Sequence, residues 1–320
     1  MREQAASLIG LGLLLAIIAS TDIAASPASS SAGALNGQGQ SAEPQRLYAE
    51  SAEELLQTFD KLAYHWPPGE LQNVPLIVLQ SLPADFADIN SVSERKSLFL
   101  RSLLPIVLLE NRRLLEQRDL LKLMLAQGLP AQGSEAYDWL ANVASRMKLR
   151  GELADTRVQQ KLLRRLDEIP LGLALAQAAI ESGWGTSRFA REGNSLFGQW
   201  TYLVDKGIKP DKRDEGANHL VRTFPHLQAS VRAYMHNLNT SRAYREFRAA
   251  RADMRAANEK LSSVELAQYL HRYSQRGLEY VKELQKMINS HSLTAMKSFI
   301  PANDPDQVVR LSGSLADDPS

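Results

Sequence analysis

Residues Leu171-Gly172-Leu173-Ala174-Leu175-Ala176-Gln177-Ala178-Ala179-Ile180 carry no charge and are apolar nearly all round a helical wheel, so a helix built from them has no face to give to water. Such a helix must lie inside other structure, and its alanines let neighbouring helices approach closely. Pro170 ahead of it and Gly183 and Gly185 behind it are start and stop signals. Glu181 then stands in or just before the last turn, within Glu181-Ser182-Gly183-Trp184-Gly185. There the negative end of the helix dipole disfavours a second negative charge, and the apolar stem and Trp184 add desolvation of the same sign. Both effects raise a carboxyl pKa, which is what a general acid needs to hold a proton near neutral pH. A carboxylate that leaves a core helix and faces water is the plainer alternative.

The next stretch predicts a second lobe. Asn194–Trp200 leads into Thr201-Tyr202-Leu203-Val204, which reads as a strand, and a partner strand is expected near Asn218 to Phe224. Between them Asp205, Asp211, Asp214 and Glu215 share a loop with Gly207, Pro210 and Gly216. A β-hairpin lobe with acidic loop residues would then stand across a cleft from the helix bearing Glu181. Aromatic residues crowd between Glu181 and Phe247, and carboxylates beside aromatic platforms suit sugar rings. Candidate substrate contacts are Trp184, Asn194, Phe197 and Trp200. Core packing is the simpler account of Phe189, Phe197, Phe224 and Phe247, and Trp200 and Tyr202, alternating along one strand, cannot both face the cleft.

Composition narrows the chemistry. The chain has 320 residues and no cysteine, which removes disulfides, thiolate nucleophiles, cysteine zinc sites and lipid modification of an N-terminal cysteine. A formal net charge of +1 gives no field to draw it onto nucleic acid. His219, His226, His236 and His271 form no His-Glu-x-x-His run, so no metal is expected. No glycine-rich phosphate cradle appears either, and no cofactor is expected.

Along the chain, residues 1–25 read as an export signal or N-terminal anchor, with Arg2 before the uncharged run Ala5–Thr21. Residues 26–47, rich in Ser, Ala, Gly and Gln, read as a flexible linker. Residues 48–140 read as a helical extension. Ser93–Gln127 carries its clearest helical period, with Ser93-Glu94 as the cap and Pro105 dividing it into two pieces. Val74–Leu79 fits a helix turn or a buried strand equally well. Arg242, Arg245, Arg248, Arg251 and Arg255 read as a solvated basic stripe. Residues 299–320 read as a frayed tail.

Three segments together carry a family resemblance. Ala176-Gln177-Ala178-Ala179-Ile180-Glu181-Ser182-Gly183-Trp184-Gly185, then Asn194-x-Leu196-Phe197-Gly198, then Asn239-Thr240-Ser241-Arg242-Ala243-Tyr244 resemble the glucosaminidase domain of glycoside hydrolase family 73. Phe197-Gly198-Gln199-Trp200-Thr201 and Tyr273-Ser274-x-Arg276-Gly277-x-x-Tyr280-Val281 are similar to its Bax-type subgroup in particular. The resemblance implies an α+β fold, mostly helical and lysozyme-like with a small β-hairpin lobe, over residues 141–298. It implies hydrolysis of the β-1,4 bond after N-acetylglucosamine in peptidoglycan, with the family acid at Glu181. It places a second carboxylate in the β lobe, where Glu215 is the closest positional match and Asp214 and Asp211 are rivals, and a tyrosine at Tyr244. Phe224 stands where other members have a tyrosine. A lytic transglycosylase and an inactive wall-binding module are the competing readings. The expected partner is the glycan strand, with membrane contact only through a retained N-terminal segment, and the expected place is the periplasm or cell envelope.

Overall fold

The computed structural model describes residues 44–68, 74–211 and 218–295. The expected export segment, most of the expected linker and the expected C-terminal tail lie outside these residues, as do Asp214 and Glu215. The described chain opens with β1 (Gln45–Leu47) and α1 (Ala52–Lys61), followed by β2 (Ile77–Leu79), which pairs in parallel with β1. The last residues of the expected linker are therefore a strand. Its pairing partner lies far along the chain, so local composition carried no sign of it. In the ambiguous Val74–Leu79 run the last three residues are strand, and all six are buried.

Helix α2 (Val92–Gln127) is one rod of 36 residues, capped by Ser91, whose hydroxyl accepts from the Glu94 N–H at 3.3 Å. The expected break at Pro105 does not occur. An interior proline costs a helix about 3 kcal/mol, but Leu98, Phe99, Leu100, Leu103, Leu104, Ile106, Val107 and Leu108 around it are all buried. Each such side chain contributes about 1.5–3 kcal/mol, so packing outweighs the lost backbone bond. The far end of α2 enters a second, smaller core. There Leu120, Leu121 and Met124 meet Trp139, Leu140 and Val143 of α3 (Glu135–Arg146) and Leu162 of α4 (Thr156–Arg165). The boundary expected between residues 140 and 141 falls inside α3.

The chain continues through α5 (Leu171–Ser182), α6 (Arg188–Gly193), β3 (Trp200–Thr201), β4 (Gly207–Ile208) and β5 (Leu220–Arg222). Helices α7 (Leu227–Thr240), α8 (Arg245–Ala256), α9 (Ser263–Ala267) and α10 (Leu278–Ser290) complete it. The result is a mostly helical α+β fold. Residues Leu171–Ala179 of α5 are all buried, as the uncharged sequence requires, against α2, α9 and α10. The main core joins them to Leu55, Phe59 and Tyr64, so the N-terminal extension and the helix bearing Glu181 share one hydrophobic interior. Where a hairpin was expected, the β lobe is a three-stranded antiparallel sheet with β5 in the middle, Val221 lying opposite both Trp200 and Ile208. The first strand is shorter than predicted because the chain turns in a 3-10 segment at Val204–Lys206.

The basic stripe is mostly not solvated. Arg248 and Arg251 are buried, which lowers both guanidinium pKa values to about 10. Arg251 donates to the Glu168 carbonyl at 2.7 Å, the Arg164 carbonyl at 2.9 Å and Asn239 Oδ1 at 2.8 Å. Asp167 is buried beside Arg118, Arg251 and Arg255, whose charges overcome desolvation and hold its carboxyl below the usual carboxylate range. This polar node clamps the segment that leads into α5. Truncating one partner of a buried charged network costs about 3–5 kcal/mol. We therefore expect Arg251→Met to lower unfolding stability by that amount in urea titrations, while Arg245→Met on the exposed side of α8 stays within about 0.5 kcal/mol of the parent.

Candidate active site

Glu181 lies in the last turn of α5, one helical turn after Gln177, so the two side chains share a face. Gly183 follows at φ 58°, the left-handed region that glycine adopts without strain, and stops the helix there. Ser182 secures the turn: its hydroxyl donates to the Ala178 carbonyl at 2.6 Å and accepts from the Gly185 N–H at 2.9 Å. The carboxylate is thus held at a defined point of a rigid element, half-buried.

Its surroundings are four tyrosines. Burial is the main cause that pushes the Glu181 carboxyl above its ordinary range, and Glu283 acts in the same direction. A hydrogen bond donated by Tyr280 and the positive charge of Arg276 act against it. Tyr234, Tyr244 and Tyr273 also feel the charge of Glu181. Burial raises the hydroxyl pKa of all four tyrosines, that of Tyr244 to about 12, so each remains a neutral donor at physiological pH. Tyr273 stacks on Tyr280 with ring centroids 5.6 Å apart and lies 6.1 Å from Tyr244. The Tyr273 hydroxyl donates to the Phe197 carbonyl at 3.3 Å, which ties the entrance of the β lobe to the cluster. Next to it Gly198, at φ 61°, brings backbone so close that a Cβ there would sit 4.0 Å from Glu181 Oε2. A larger side chain would cover the acid.

The residues singled out in the sequence divide into two groups. Glu181 and Tyr244 come together, and Tyr244 shares a hydrogen bond with Asn237. Trp200 is 57% exposed on the β lobe and stacks on His219 at 4.0 Å, while Tyr202 beyond the strand end is also exposed. Trp184 turns instead toward α2, 5.9 Å edge-on from Phe99 and 4.8 Å from Lys96 Nζ, so it is not the apolar wall beside Glu181. Phe197 is buried and stacked on Tyr234 at 3.9 Å, which makes its ring a core group rather than a surface for a ligand. Asn194 ends α6 in the left-handed region at φ 51° and donates from Nδ2 to the Phe224 carbonyl at 3.2 Å, a bond that fastens the β lobe. Asp211 is exposed and paired with Arg188 at 2.9 Å. Glu215 and Asp214 lie outside the described residues.

The residues missed were Gln177, Tyr234, Tyr273 and Tyr280. Gln177 did carry a signal. It is the one polar side chain in an otherwise apolar run, and a fully buried amide must find partners. Tyr273 and Tyr280 stood in a motif that carried the resemblance, but nothing in it tied them to Glu181, and Tyr234 had no such mark; all three reach the acid from distant parts of the chain. Chemically, a desolvated carboxylic acid beside an open backbone edge can deliver a proton to an oxygen placed there.

Comparison with known proteins places Glu181 within a matched domain. The family model described as Glucosaminidase: Mannosyl-glycoprotein endo-beta-N-acetylglucosaminidase matches residues 158–293. The chain is similar to Protein bax of Escherichia coli (strain K12), at 32% identity over 221 residues, covering 66% of this chain and 77% of that protein. No solved structure matches the chain.

The raised carboxyl has a consequence for stability. Folding favours the protonated acid, so the stability it contributes is full below the unfolded carboxyl pKa and is lost as pH rises through the folded value. Glu181→Gln keeps the shape and removes the ionisation. In calorimetry we expect it to melt a few degrees above the parent at about pH 8 and to lose that advantage toward about pH 4. A gap independent of pH would contradict the desolvated acid.

Proposed function

The chain belongs to the Bax family and carries its glucosaminidase domain, and from that premise we propose that it is a β-N-acetylglucosaminidase cleaving the β-1,4 bond after N-acetylglucosamine in peptidoglycan. The domain supports a glycosidase-type enzyme acting on glycan. The observation that carries the finer reading is Glu181 itself, half-buried, with its carboxyl raised by desolvation and facing the tyrosine cluster. In this reading Glu181 protonates the glycosidic oxygen as the bond to the anomeric carbon breaks. A β-lobe carboxylate, Glu215 by position, activates the attacking water or stabilises the oxocarbenium-like transition state, and Tyr244 orients the sugar or the water. A separation of roughly 6.5–9.5 Å between the two carboxyl groups favours inversion, and roughly 5–5.5 Å favours retention. Trp200 offers an exposed ring for stacking on the glycan.

A cell-wall glycan substrate implies work outside the cytoplasm. We assign export to residues 1–25 and the site of action to the periplasm. No described helix is long and apolar enough to cross a membrane.

The test is product analysis on purified sacculi. Hydrolysis leaves reducing N-acetylglucosamine ends, and Glu181→Gln is expected to lower their release by about 10²–10⁴-fold while glycan binding persists. Anhydro-sugar ends would reassign the chain as a lytic transglycosylase. No cleavage by the parent would make it a binding module, and full cleavage by Glu181→Gln would remove Glu181 from the mechanism.

A further inference from the structure

Three fully buried side chains lead to the acid in a single file. Tyr234 of α7 donates its hydroxyl proton to Gln177 Oε1 at 2.8 Å. Gln177 of α5 donates from Nε2 to the Tyr280 hydroxyl oxygen at 2.9 Å. Tyr280 of α10, its oxygen satisfied, has its one proton left to donate, and it hydrogen-bonds Glu181. Gln177 and Tyr280 have no exposed surface and Tyr234 has 1%, so water cannot take the place of any member.

The direction of this chain is set by its far end. A hydroxyl has one proton, and an amide has an acceptor end and a donor end. Were the Gln177 amide reversed, its oxygen would take the Tyr280 proton, Glu181 would lose its donor and the Tyr234 proton would be orphaned in the core. The orientation observed is the one that spends every proton, and its last bond falls on a carboxylate, the stronger kind.

We propose that Gln177 and Tyr234 are positioning residues that hold Tyr280 as a one-way hydrogen-bond donor to Glu181. This rests on the reading of Glu181 as the general acid. When Glu181 gives up its proton, it becomes a carboxylate that Tyr280 is already oriented to receive, so the relay stabilises the product of proton transfer without reorganisation. The chain is neutral throughout and shifts no proton along its length.

The experiment compares Tyr280→Phe and Tyr234→Phe with the parent full-length chain. The rate on soluble peptide-free glycan is followed against pH, and the Glu181 carboxyl is titrated directly by NMR of glutamate-labelled protein, with Glu181→Gln to assign its signal. Both substitutions keep the ring and leave Arg276, Glu283, Tyr244 and Tyr273 facing Glu181 unchanged. Losing a hydrogen bond to the carboxylate makes ionisation harder. The Glu181 titration and the basic limb of kcat/KM should therefore move up by about one pH unit in Tyr280→Phe. They should move less, in the same direction, in Tyr234→Phe, with kcat lowered and KM little changed. A slower enzyme whose Glu181 titrates as in the parent would overturn the relay and leave only a packing role. If Tyr280→Phe does not fold, the Tyr234→Phe titration decides by the same criterion. Because the NMR titration needs no turnover, an active Glu181→Gln would end the acid assignment while still leaving the relay to be judged.

Discussion

The burial of α5 is the constraint on which the rest of the structure depends. A helix apolar on every side cannot be stable until something covers all of it, and α2, α9 and α10 provide that cover. Because the same helix ends in Glu181, the packing that stabilises the fold also withdraws the carboxyl from water. Core and site are one feature seen at two ends of twelve residues. The N-terminal extension belongs to this arrangement, since the middle of α2 walls α5 and its distal end anchors a second core.

A fully buried helix needs its ends fixed as well as its sides. At the start, the Asp167 node holds the incoming backbone through Arg251, Asn239 and Arg255. At the other end Gly183 and Ser182 fix where the chain leaves. Burying Arg251 is offset at its two terminal nitrogens, which donate to backbone carbonyls and to the Asn239 amide oxygen, while Nε makes no hydrogen bond and has the Asp167 carboxylate at 3.8 Å. The outcome is a carboxylate on a short rigid element tied at both ends, and a proton donor requires that kind of placement more than strength of binding.

How much of this was legible follows from where each signal sits along the chain. The buried helix, its glycine stop and the acid near its end lie within fifteen consecutive residues, so composition and period alone reveal them. The β lobe was recognised in outline, but its third strand was not, because two residues of strand leave no alternation to read. The arginine stripe misled for a physical reason. Residues three or four apart on a helix share a face whether that face meets water or buried carboxylates, and the partners Asp167 and Glu168 lie in a different segment. Pro105 misled likewise, since local propensity was weighed without the tertiary burial that overrides it. Of the tyrosines around Glu181 only Tyr244 was given a role, because the relation of Tyr234, Tyr273 and Tyr280 to the acid is purely three-dimensional.

The choice of tyrosine around the acid has its own logic. A cation in direct contact would fix Glu181 as a carboxylate and deny it the proton it must give, whereas a wholly apolar pocket would strand the charge that forms when the proton leaves. Neutral tyrosines avoid both failures: their buried rings add to the desolvation that keeps the acid protonated, and Tyr280 offers a donor once it ionises. Arg276, whose charge favours the ionised form, is itself held at 2.6 Å by Glu283, whose charge opposes it. The two act in opposite directions at Glu181, where burial and the hydroxyl of Tyr280 are the larger influences.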